Sequence, residues 1–212
     1  MIAFPDVWND VREALADMRR PLRLVHFSSP DGCEFCEETL ELLSKLTALS
    51  DKLELESHSA DEEIAFRYLV NKTPATVIAA ERDYGICFYG FPFGFEFAAL
   101  LDILLLVSRG ECRLQRRTMQ FLEELDEPLH LQTFVTPGCH YCPGMVMVAN
   151  QLAYASDKVM ANTIEAMEFP DLVARYGIRG VPHIVVNETQ SIVGAMSESE
   201  FISRLVALRA NR

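Results

Sequence analysis

Short runs rich in β-branched and aromatic residues alternate along this chain with longer stretches whose apolar positions recur every three to four residues. Runs of the first kind suit strands and those of the second suit helices. LRLVHFS (22–28) and LHLQTFVT (129–136) are predicted as strands that run into Pro/Gly turns, and CEFCEETLELLSKLTAL (33–49) and CHYCPGMVMVANQLAYA (139–155) as the helices that follow. LELESHS (53–59) and VMANTIEA (159–166) give second strands, and the segments ending RYLV and ARYG give second helices. Beyond Pro74 and Pro182, ATVIAA (75–80) and HIVVN (183–187) are predicted strands, paired through turns at ERDYG and NETQ with ICFYGF (86–91) and SIVGAM (191–196). EFAALLDILLLVSRG (96–110) and ESEFISRLVALRA (198–210) close the pattern as helices.

The pattern occurs twice, and the landmarks within it recur in order. FSSPDGCEFC beginning at Phe27 lies over FVTPGCHYC beginning at Phe134 once Asp31 is treated as an insertion. FRYLVNKTP, ending at Pro74, lies over ARYGIRGVP, ending at Pro182, and YGFPFGFEF from Tyr89 lies over VGAMSESEF from Val193. The offsets of 106, 108 and 104 differ only as short loop insertions would make them differ. The expected division is therefore residues 1–110 and 111–212. No Gly/Ser/Pro-rich linker separates the halves, so they are expected to pack together.

Composition narrows the function. Net charge is -12, and no segment supplies the basic patch that phosphate binding needs, which argues against nucleic acid. The charge is uneven: residues 1–110 hold 10 Lys+Arg against 19 Asp+Glu, and residues 111–212 hold 9 against 12. The opening MIAFPDVWND has no basic flank leading into an apolar run and does not read as a secretory signal, so a cytosolic protein is expected. The greasiest stretch is interrupted by Glu96 and Asp102 and reads as a buried helix rather than a membrane span.

The chemistry lies in Cys33–Cys36 and Cys139–Cys142, two CxxC pairs among six cysteines. Such a pair can hold a metal, close a small disulfide, or cycle between dithiol and disulfide. Each pair opens a predicted helix, whose first turn presents unpaired N–H groups that favour an anion. Cys33 and Cys139 are expected at the N-cap as ionisable, solvent-facing nucleophiles, with Cys36 and Cys142 one turn inside as resolving thiols. A shared zinc site is disfavoured, because each pair starts its own helix in its own repeat.

Strands and helices in the order βαβ and then αββα, with the cysteine pair at the first strand-to-helix turn, form the thioredoxin arrangement. The expected fold is α/β: two tandem thioredoxin-like units, each a mixed central sheet flanked by helices, packed together. FVTPGCHYCP, EAMEFPDLVARYGIRGVPHIVVN and FYGFPFGFEFAALLDILLLVSRGE resemble the glutaredoxin-like protein disulfide oxidoreductases of thermophilic archaea and bacteria. The resemblance covers essentially the whole chain. It implies reductase, oxidase and isomerase activity on protein disulfides, a part in cell redox homeostasis, and no bound cofactor, with NADPH reaching the redox-active disulfides through a flavoprotein resembling thioredoxin reductase. It also implies cis bonds before Pro74 and Pro182 that lie against the cysteine pairs, so that Thr73 and Val181 offer backbone groups to an extended substrate. Two departures stand out. No Trp precedes either leading cysteine, and His26 and Thr133 occupy the place of thioredoxin's buried Asp, so the pattern names no proton acceptor for the inner thiols.

The two sites are expected to differ. Asp31, Glu34, Glu37, Glu38 and Glu41 surround the first pair, whereas His140 lies inside the second and the next carboxylate along the chain after it is Asp157. Carboxylates oppose a thiolate and an imidazolium favours it, so Cys139 should be the more acidic leading thiol and its disulfide the more oxidising. Phe35 and Tyr141 occupy the same slot and are expected to flank the sulfurs where a substrate chain lands. Gly90 and Gly194 are expected to let the backbone approach the active-site edge. Cys87 and Cys112 are expected to be free, and His58, His130 and His183 structural. A rival role is electron delivery to a peroxiredoxin, as in the N-terminal tandem region of the flavoprotein component of alkyl hydroperoxide reductase. The absence of a G-x-G-x-x-G fingerprint and the presence of both pairs favour a free-standing oxidoreductase, with a peroxiredoxin as one client. A further rival, a binding or chaperone module, would keep full function without Cys33 and Cys139.

Overall fold

The computed structural model describes residues 5–210, with the side chains from Val7 onward. Residues 1–4, part of the stretch read for a secretory signal, and residues 211–212, the end of the second expected unit, lie outside the described residues. In chain order the elements are α1 (Pro5–Ala16), β1 (Leu22–Ser28), α2 (Cys36–Thr47), β2 (Leu53–Ser59), α3 (Glu63–Arg67), β3 (Ala75–Ala79), β4 (Asp83–Tyr89) and α4 (Phe95–Arg109). They continue with α5 (Arg116–Glu123), β5 (Leu129–Val135), α6 (Cys142–Ala155), β6 (Val159–Glu165), α7 (Pro170–Tyr176), β7 (His183–Val186), β8 (Gln190–Val193) and α8 (Glu198–Ala210).

The eight strands form one mixed sheet in the order β2-β1-β3-β4-β6-β5-β7-β8. The first four strands and the last four repeat one order, joined head to tail where β4 pairs with β6 in parallel, Ile86 to Ala161 through Tyr89 to Ile164. The expected α/β fold of two packed thioredoxin-like units is therefore present, and the junction is a continuous ladder rather than a loose contact.

The apolar alternation explains the layers. Leu24, Ile78, Ile86, Leu131 and Ile184 point to one face, where they meet α1, α2, α4, α5, α6 and α8; Val25, Phe27, Val77, Phe134 and Val185 point to the other, where α3 and α7 cover them. Helix α4 is apolar almost all round because it packs on its unit's sheet and on α6 of the other unit, which leaves Leu100, Ile103, Leu104 and Val107 inaccessible. None of the described helices is long and apolar enough to cross a membrane.

Two helices escape the periodicity reading. Among the described side chains of α1 only Val11 and Leu15 are buried, with Trp8 edge-on to Phe97 at 6.0 Å; in α5 the buried residues are Thr118, Phe121 and Leu122. Charged and polar neighbours dilute such a stripe, and packing against α4 and α8 completes it. At the other end of the scale, the turn expected at ERDYG is shorter than its composition suggests, since β4 already begins at Asp83.

Candidate functional site

Strand directions bring the chemistry to one edge. Strand β1 runs parallel to β2 and antiparallel to β3, which is antiparallel to β4; β4, β6 and β5 are parallel to one another. Strands β1, β4 and β5 consequently point the same way, and both cysteine loops leave the sheet on one side. Between β1 and β5 lie four strand spacings, roughly 19 Å at about 4.8 Å each.

Both pairs are closed as disulfides, Cys33–Cys36 with Cα atoms 5.5 Å apart and Cys139–Cys142 with 5.4 Å. The inner sulfurs belong to buried residues, Cys36 at 8% and Cys142 at 1% exposure, while Cys33 and Cys139 are half-buried. The expected N-cap placement of the leading cysteines is corrected. The N-cap residues are Phe35 and Tyr141, neither with a side-chain cap bond, and the helices start at Cys36 and Cys142. The leading cysteines sit about a turn earlier, in the loop: the Thr39 N–H donates to the Phe35 carbonyl at 3.0 Å, and the Cys142 N–H donates back to the Cys139 carbonyl at 3.2 Å. The short disulfide ring spans that preceding turn, so the inner cysteine occupies the first helical position.

The Thr73–Pro74 and Val181–Pro182 bonds are both cis. The carbonyl of each buried proline accepts from a glycine, Gly90 N–H to Pro74 at 3.0 Å and Gly194 N–H to Pro182 at 2.9 Å. Both glycines have left-handed φ, 99° and 91°. The expected close approach is corrected in its target: a Cβ on Gly90 would lie 2.7 Å from the Glu165 Cβ of the other unit, and one on Gly194 would meet no atom within 4 Å.

Phe35 stacks on Phe91 at 6.2 Å, and Tyr141 is 63% exposed with its ring 3.9 Å from that of His140. Glu34 and His140 are exposed. His26 is wholly buried, and burial pulls its imidazole down to about 4; Thr133 is buried with no partner for its hydroxyl. Cys87 is buried and its thiol pushed up to about 12, while Cys112 is half-buried and its thiol is raised by burial as well; both are free. His58 pairs with Glu62 at 3.1 Å and His130 with Glu188 at 3.0 Å, and no cluster among the described residues could hold a metal ion.

Sequence reasoning missed three carboxyls at the junction. Glu96, at the start of α4, and Glu165, at the end of β6, are 4% and 3% exposed, and each has one oxygen with no hydrogen-bond partner. Glu165 pairs in register with Val135, four positions before Cys139, so the carboxylate nearest the second site in sequence is not the nearest in space. The other Glu165 oxygen accepts the Glu168 N–H, and Glu168 in turn accepts the Phe91 N–H, both at 2.7 Å. Burial, with the charges of Glu165 and Glu168, pushes Glu96 to about 9. Glu168 rises to about 7, chiefly by burial and then by the charges of Glu165, Glu34 and Glu38 against the opposing bond from Phe91. Burial raises Glu165 too. The one sequence signal was Glu96 interrupting an otherwise apolar helix face.

Two CxxC disulfides, each with a half-accessible outer and a buried inner cysteine, and two cis-prolines that open the antiparallel strands next to those leading into the pairs, define a thiol-disulfide oxidoreductase-like protein built of two thioredoxin folds. Residues 129–207 match the thioredoxin domain family. The chain superposes on the protein disulfide oxidoreductase from Aeropyrum pernix with a TM-score of 0.90 and 28% identity, covering 99% of this chain and 94% of that one. It superposes on the N-terminal domain of the alkyl hydroperoxide reductase AhpF from Enterococcus faecalis with a TM-score of 0.87 and 25% identity, covering 96% and 100%. Among curated proteins it is 25% identical over 198 residues to the F subunit of alkyl hydroperoxide reductase of Xanthomonas campestris pv. phaseoli, covering 93% of this chain and 36% of that protein. It is 22% identical over 205 residues to an NADH dehydrogenase of Ferdinandcohnia aciditolerans, covering 97% and 37%. The chain thus spans little more than a third of the length of these curated relatives.

Proposed function

We propose that the protein exchanges disulfides with protein substrates through Cys33–Cys36 and Cys139–Cys142, in units spanning 1–110 and 111–212. The observation that carries this reading is the repeated disulfide between a half-accessible outer cysteine and a buried inner one, in a sheet whose neighbouring strand each time follows a cis-proline. In the reducing direction the thiolate of Cys33 or Cys139 attacks one sulfur of a client disulfide, forming a mixed disulfide and releasing a client thiolate that takes up a proton. The inner thiol, losing its proton, then displaces the second client sulfur and closes the protein's own disulfide, so two electrons pass to the client. Thr73 and Val181 present backbone groups to the client in the manner of an added strand, Pro74 and Pro182 shape that edge, and Phe35 and Tyr141 flank the sulfur under attack. A thioredoxin-reductase-like flavoprotein using NADPH would return the electrons in the cytosol.

The test is turnover. With dithiothreitol as the electron source, substoichiometric protein should accelerate insulin reduction by about tenfold or more over reductant alone, and should speed the refolding of scrambled ribonuclease. Rates equal to the uncatalysed controls would remove the proposal. A second reading, electron delivery to a peroxiredoxin, draws support from the similarity to the Xanthomonas alkyl hydroperoxide reductase component over 93% of this chain. It would prevail if the reduced protein discharged into a peroxiredoxin disulfide but left insulin and ribonuclease untouched.

The sites should also differ in acidity. Glu34, Glu37 and Glu38 are exposed around the first pair, whereas the buried Glu165 beside the second is displaced toward its neutral form, and His140 stands next to Cys139. Iodoacetamide labelling of the reduced protein across pH, read by mass spectrometry, is expected to modify Cys139 at lower pH than Cys33. The reverse order would show that His140 and Glu34 do not tune the sulfurs.

A further inference from the structure

One six-residue segment touches both cysteine loops. Leaving the end of β4, Gly90–Phe95 lies at the sheet edge between β1 and β5. At its start the Phe91 ring stacks on Phe35, between the cysteines of the first site, and Glu168 of the second unit holds the Phe91 N–H. At its end the Phe95 N–H donates to the Pro137 carbonyl at 3.0 Å, two positions before Cys139, and the Phe95 ring lies 6.3 Å from His140. Gly94 is required there: its φ is 59°, and a Cβ would come within 2.5 Å of the Pro137 oxygen. Phe93 stacks on Phe91 at 6.1 Å. The crosspiece is held by both units, yet its outer surface is apolar and open: Phe93 is 47% exposed and Phe95 45%, with Tyr141 beyond them.

Accepting the exchange function proposed above, we propose that Gly90–Phe95 is a docking ledge for an extended polypeptide segment, apolar in its middle and basic at its flanks, that lies across both cysteine openings at once. The ledge is continuous with the rings that flank each cysteine pair. An extended chain advances about 3.3 Å per residue, so about six residues bridge the roughly 19 Å between the sites. The charge fits a basic segment: residues 27–41, 86–101 and 134–150 contain no Lys or Arg, while Asp31, Glu34, Glu37 and Glu38 are exposed beside the first opening. Lys72 and Arg179 sit in the loops before the cis-prolines, and Lys72 is turned onto the Tyr89 ring.

The test separates docking from chemistry. Two fluorescent peptides with one apolar core, flanked by lysines or by glutamates and carrying serine where the cysteines would be, report binding by anisotropy whether or not exchange occurs. The lysine-flanked peptide is expected to bind the oxidised protein about tenfold more tightly at low salt, with the difference shrinking as salt rises. Phe93→Ser, at an exposed position, is expected to weaken it about tenfold and Phe93→Leu to restore most of the loss, while turnover of hydroxyethyl disulfide stays at the wild-type rate. Equal affinity in Phe93→Ser, or no preference between flanks, overturns the ledge. Peptide binding without turnover of the cysteine-containing versions would instead overturn the exchange function and leave the docking surface standing.

Discussion

The double variant Cys33→Ser/Cys139→Ser is expected to lose essentially all catalysed insulin reduction, its rate falling to that of the reductant alone. A serine hydroxyl neither ionises near neutrality nor forms a mixed disulfide, so no covalent route remains for two electrons to leave the protein. The single variants apportion the work. If the sites act independently, each single variant keeps the turnover of the other site; if they act on one client in sequence, either single variant approaches the double. Cys36→Ser and Cys142→Ser have a different expected signature. In the proposed exchange these buried inner positions supply the resolving sulfur, so the variants should accumulate client-linked mixed disulfides visible on non-reducing gels. A double variant that kept more than a tenth of wild-type turnover would end the proposed function and favour a binding module.

Replacing Glu96 by glutamine is expected to flatten the fall of thermal stability with rising pH. In the fold its carboxyl is pushed to about 9 by burial first and by Glu165 and Glu168 next, whereas the unfolded chain titrates near 4.5. Between those values the folded state holds a proton that the unfolded state has released. Stability is therefore present in full below about pH 4.5 and is lost as pH climbs toward 9. The glutamine side chain keeps the shape without the ionisation. At pH 9 the variant should melt higher than the wild type by roughly 5 °C or more, a few kcal/mol in a chain of this size, and the two should converge below neutrality. Glu168, raised to about 7, adds a loss of the same sign that is complete near pH 7. His26 acts oppositely: held neutral by burial down to about 4, it costs stability as pH falls below 6.5, so calorimetric scans from pH 7 to 9 isolate the carboxyls. Parallel melting curves for wild type and variant across that range would show that Glu96 ionises freely in the fold.

Much of the fold is legible locally. Strands such as Leu22–Ser28 and Leu53–Ser59 fall where alternation and β-branched content place them, and α8 matches its predicted bounds. Turn chemistry and 3.6-residue periodicity are properties of neighbouring residues. The short α1 and α5 are not legible, because two or three apolar positions among charges become a face only when another helix covers them. The start of α2 and α6 is misplaced by about a turn for a similar reason: the spacing of a cysteine pair says where a ring closes, and only the backbone hydrogen bonds say where the helix begins.

The sequence by itself determined the repeat, the strand-turn-helix setting of each cysteine pair and the matched prolines that open the third strand of each half, since all of these are written in short-range pattern and in the agreement of two halves. Tertiary structure alone decided that β4 meets β6 in parallel, that both cysteine loops therefore open on one edge, and that the Gly90–Phe95 crosspiece spans them. It alone decided, too, that the buried Glu96 and Glu165 meet the half-buried Glu168. Strand pairing joins residues that are distant in the chain, and desolvation depends on everything packed around a group, so neither quantity is carried by any single segment.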